Sequence, residues 1–138
     1  MQTTKRARSR RTSVRPAKLK AEWLRELDSL FGDIASWCES RKWWVHRDHK
    51  TIDCDAFGPY DAPVLMIQSP QGRFMVDPVG HDIVGAEGRV EIQAWPTFDR
   101  MVLIRNNGRW RIHPDLDFDR PRRWSRDGFF DAVRELKF

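Results

Sequence analysis

Residues 1–20, MQTTKRARSRRTSVRPAKLK, carry eight cations and no acid. A run of that kind gains affinity for a polyanion by displacing its counterions, without reading bases. Lys5, Arg6, Arg8, Arg10, Arg11 and Arg15 are its candidate contacts. A second basic set stands toward the C-terminus, with Arg105, Arg109 and Arg111 around Asn107-Gly108, followed by Arg122, Arg123 and Arg126. Guanidinium groups on the outer side of a β-ribbon can enter a groove or track a phosphate backbone. Each set also has a plain reading. The first can be a solubilising tail, and the second can pair with Asp115, Asp117 and Asp119 or simply face water from an outer sheet surface.

Metal and nucleophile chemistry find less support. Cys38, His46, His49 and Cys54 are zinc-type side chains, but their spacing, C-x7-H-x2-H-x4-C, matches no structural zinc site. They read instead as histidines in a charged stretch and two reduced, partly buried thiols. The alternating carboxylates of DLDFD at 115–119 lack the glycine and distal glutamate of a calcium loop, so they read as a loop that balances nearby arginines. No glycine-rich phosphate loop or nucleophile signature is present, and no cofactor is expected.

The elements that must position these groups follow from periodicity. Residues 1–16 have no large apolar residue before Val14 and are expected to form a disordered basic arm. Pro16 suits a helix start, and Leu19, Trp23, Leu27, Leu30, Ile34 and Trp37 then recur at helical spacing. In RKWWVHRDHK the apolar stripe stops at Arg41, and Trp and Val favour a strand. A strand sends Trp43 and Val45 to the core and Trp44 to the opposite face, where a covering helix is expected. Segments 64–68 and 73–77 read as two strands, and GRVEIQAW as another, stopped by Pro96. Asn107-Gly108 suits a two-residue type I′ hairpin. HPDLDFDRPRR reads as loop. A final short helix is capped by Ser125, with Trp124 stapled onto Phe129 and Phe129, Phe130, Val133 and Leu136 as its apolar face. The expected fold is α+β: a long N-terminal helix, an antiparallel meander of about five strands and a short C-terminal helix, forming one domain over 17–138.

The order of helix, hairpin ending at Asp77, and strand carrying Glu91 and Gln93 resembles in outline the opening of the PD-(D/E)xK nuclease core. That resemblance implies a Mg²⁺ ion held by Asp77 and Glu91, activating water and stabilising the leaving phosphate. Two departures stand against it. Gln93 occupies the place of the usual lysine, and PTFDR is too short for the helix that should follow.

Composition bounds what remains. The 138 residues have room for one domain. The net charge of +5 conceals an asymmetry, because residues 21–99 hold seven cations against fourteen acids and residues 100–138 hold ten against six. No apolar run approaches the roughly 18 residues of a membrane span, so a soluble, cytoplasmic chain is expected. The leading expectation is a non-enzymatic protein that binds nucleic acid, or a nucleoprotein assembly, through the arm and the C-terminal arginines. A protein-interaction module or homodimer, built on the acidic middle and the seven tryptophans, is the alternative from another class.

Overall fold

The structure is a computed structural model. It describes the backbone of residues 2–138 apart from 84, 85, 115, 116 and 118, and side chains from residue 16 onward apart from 82–86, 115, 116 and 118. The first helix, α1 (Gln2–Ser40), buries Trp23, Leu27, Leu30 and Ile34, so the expected apolar stripe is the packed face. Pro16, the expected helix start, lies inside α1, whose helical backbone extends back to Gln2; the side chains of the arm expected over 1–16 fall, except for Pro16, outside those described.

The end of α1 explains why the two adjacent tryptophans part company. Lys42 takes the left-handed conformation, with φ 61°. The Lys42 N–H donates to the Glu39 carbonyl at 2.9 Å and the Trp43 N–H to the Cys38 carbonyl at 3.0 Å. That pair of bonds is a Schellman cap, in which the residue after the left-handed one makes a hydrophobic contact. Trp43 is that residue, and it meets Phe74 and Phe130 edge-on, at 6.3 and 5.4 Å between ring centres. Trp44 begins β1 (Trp44–Ile52) on the other face and is 57% exposed. The helix expected to cover it is not there, because α1 lies on the Trp43 side.

Among the described residues the sheet has seven antiparallel strands in sequence order. After β1 come β2 (Tyr60–Ser69), β3 (Gly72–Ile83), β4 (Ala86–Trp95), β5 (Arg100–Asn106), β6 (Arg109–Pro114) and β7 (Arg122–Arg123). The segment expected to be loop thus contributes β7, whose pairing with β6 is set by Ile112↔Arg122 and Arg111↔Arg123. Pro63 lies just beyond Leu65↔Val76, the last pair joining β2 to β3, where no ladder bond is lost. Pro78 sits at the register shift between β3 and β4, where Val79 is the extra residue. Asn107 and Gly108 both have positive φ, 52° and 72°, as the type I′ turn requires.

Alternation then sorts the strands into two faces. Leu65, Ile67, Phe74, Val76, Val90, Ile92, Ala94, Leu103 and Ile112 are buried on the face that α1 and α2 (Arg126–Glu135) cover. Ser125 caps α2 by accepting the Gly128 N–H, and Trp124 contacts Phe129 edge-on at 5.9 Å. Trp23 anchors the far end of the core, its indole N–H donating to the buried Tyr60 hydroxyl at 3.0 Å. No helix among the described residues is long and apolar enough to cross a membrane.

Candidate functional site

The face turned away from the helices can be read in rows, since register partners in a sheet share a side. The first row is Trp44, Gln68, Arg73 and Trp95, across β1 to β4. The second is His46, Met66, Met75, Gln93 and Arg100. The third brings Asp77 beside Glu91 and continues through Val102 to His113. The fourth runs Arg89, Ile104, Arg111 and Arg123, with Arg109 one row beyond on β6.

The middle of this face is closed and its acids are spent. Glu91 is 6% exposed. Its Oε1 accepts from Arg89 at 2.8 Å and Arg100 at 3.1 Å, and its Oε2 accepts from the Gln93 amide at 2.8 Å. Asp77 is paired with Lys50 at 2.6 Å. The three residues of the nuclease reading therefore do converge, but both carboxylates are already countered by cations. A divalent ion would have to displace two guanidinium groups from Glu91, and a turn, not a helix, joins β4 to β5. His113, also buried, has its pKa lowered chiefly by desolvation, aided by the Arg111 charge, while Asp117 acts the other way.

The two ends of the face are open and carry the features that sequence reasoning sought. At one end, Trp44 stacks on His46, with 5.7 Å between ring centres and 7° between planes. Trp95 is 41% exposed and contacts Phe98, itself 56% exposed, at 5.1 Å. Exposed Arg73 makes a long contact of 3.4 Å to the Gln68 amide oxygen. At the other end Arg109, Arg111 and Arg123 are exposed, and no carboxylate pairs with them among the described residues. Arg111 and Arg123 stand directly opposite each other.

The remaining arginines go elsewhere. Arg105 is the register partner of Trp110, on the helix-covered face, and pairs with Glu87 at 2.9 Å and Glu26 at 3.3 Å. With Glu22, Trp23 and His81 these groups line a cavity of about 410 Å³ beside α1. Arg122 makes a two-pronged contact with Glu135, which raises the arginine's pKa and lowers the glutamate's through that hydrogen bonding. Arg126 lies over the Phe130 ring at 5.8 Å and donates to Ser40. Lys5, Arg6, Arg8, Arg10, Arg11 and Arg15 lie outside the described side chains.

The zinc-type residues are not gathered. His46 and His49 point to opposite faces of β1, and among the described residues no three metal-ligating side chains come together. Cys38 is buried in α1, where desolvation pushes its thiol pKa up to about 12 and makes it a poor nucleophile. Sequence reasoning passed over Trp95 and Arg73. Their signal is faint, an outward position on each of two strands, and its meaning depends on the pairing that aligns them with Trp44. No protein-family model matches this chain, and no curated protein or solved structure matches it either.

Proposed function

We propose that this protein binds nucleic acid, or a nucleoprotein surface, without catalysing a reaction on it, through the helix-free sheet face together with the N-terminal cations. The observation that carries the reading is the pair Arg111 and Arg123, directly opposite on adjacent strands, with Arg109 nearby and no carboxylate paired with them among the described residues. Like charges so placed repel, and a phosphate between them turns the repulsion into two charge-assisted hydrogen bonds. The carboxylates in the middle of the face are neutralised by Lys50, Arg89 and Arg100, so they do not oppose an anion there. The eight cations of residues 1–20 add range without sequence preference.

The test is fluorescence-anisotropy binding to a mixed-sequence oligonucleotide over a salt series. The logarithm of the affinity should fall linearly with log salt, and Arg111→Glu with Arg123→Glu should weaken binding by at least tenfold and reduce the slope by about 0.7 to 0.9, the loss of one phosphate contact. Unchanged affinity in that double variant, with the fold intact by circular dichroism, overturns the reading. The exposed Trp95 and Phe98 favour a second reading, a protein-interaction surface. It gains support if the chain ignores nucleic acid and runs as a dimer by light scattering.

A further inference from the structure

We infer that the ligand of the open sheet face is a single-stranded polynucleotide, with bases stacked on Trp44 and Trp95 and a phosphate met by Arg73. This rests on the nucleic-acid reading above and narrows it to one form of the ligand. Four residues carry it. Trp44, Gln68, Arg73 and Trp95 form one cross-strand row through the pairs Trp44↔Gln68, Gln68↔Arg73 and Arg73↔Trp95. Three strand spacings separate the indoles, about 14 Å. That is roughly four base steps at the stacked rise of 3.4 Å, and fewer in an extended strand.

Both rings are available. Trp44 is 57% exposed and backed by the parallel imidazole of His46, which holds the indole in place and leaves it open to a base. Large aromatic side chains left in water on a sheet face need a reason, and two in one row with a cation between them match the chemistry of a stacking platform. Arg73 decides among planar ligands. A neutral glycan also lies flat on indoles, but it offers only neutral hydroxyl acceptors to a guanidinium that lacks a carboxylate partner among the described residues, whereas a phosphodiester offers an anionic acceptor and a bond roughly twice as strong. A duplex hides its base faces inside the stack, so the platform selects single strands.

The experiment compares a 12-nucleotide single strand with the duplex of the same sequence, reading anisotropy and tryptophan fluorescence on the full chain. The single strand should bind at least tenfold tighter than the duplex and quench emission. Trp44→Ala and Trp95→Ala should each weaken single-strand binding by roughly five- to a hundredfold. Duplex binding should stay within twofold, and Trp44→Phe should recover much of the loss. Both tryptophans are exposed, and unchanged melting temperatures confirm that the variants fold. Equal affinity for single strand and duplex, with both tryptophan variants unchanged, overturns this inference and leaves the nucleic-acid reading standing. Absence of binding to either form overturns both. Quenching by a neutral β-glucan as strong as by the oligonucleotide overturns it in favour of a carbohydrate, and a dimer dispersed by Trp95→Ala overturns it in favour of self-association.

Discussion

Gly88 marks the closest approach of the sheet to the helix. A Cβ there would fall 2.4 Å from Cη2 and 2.5 Å from Cζ3 of Trp23. The indole cannot retreat easily, because its N–H is bonded to Tyr60 and its ring lies against His81 and Trp110. Gly88→Ala should therefore destabilise the fold by about 1–3 kcal/mol, the usual cost of overpacking, read as a lower urea midpoint at unchanged slope. Glu91 illustrates the opposite case. Its charge is buried but satisfied at both oxygens, so it closes the middle of the face and need not be read as reactive.

At the scale of elements, the end of α1 shapes the surface. A non-glycine residue in the left-handed region costs roughly 1–2 kcal/mol, and Lys42 accepts that cost to make the cap that sends Trp43 inward and Trp44 outward. Lys42→Gly should raise stability by about 1 kcal/mol, measured as a higher melting temperature, while Trp44 fluorescence stays that of an exposed indole. A loss of stability would mean that the lysine makes a contact worth more than its strain. At the other end, β7 and α2 are tied by Arg122 and Glu135, an ion pair on the helix-covered side of the sheet, whereas Arg123 next to it turns to the other face.

For the whole molecule, the distribution of charge matters more than its net value. The helix-covered side absorbs Arg105 and Arg122 into ion pairs, while the other side leaves Arg73, Arg109, Arg111 and Arg123 facing water. Under the proposed nucleic-acid reading, the N-terminal cations add attraction for phosphates beside the sheet face without fixing register. Deleting residues 1–15 should lower nucleic-acid affinity several-fold and flatten its salt dependence, but leave the melting temperature of the remainder unchanged. Unaltered affinity would confine binding to the sheet.

Local chemistry alone determined much of this fold. The helical stripe from Leu19 to Trp37, the Ser125 cap, the Asn107-Gly108 turn and the outward or inward sense of Trp43 and Trp44 each depend on residues within a few positions of one another. Tertiary structure decided what the surface became. Pairing between strands placed Trp95 and Arg73 in line with Trp44, set Asp77 beside Glu91 and supplied the cations that neutralise both. It also built β7 from a segment that reads locally as loop, and it separated the arginines that face water from those held by carboxylates. The physical reason is that alternation along a strand is written within the strand, whereas register and ion pairing join residues many positions apart.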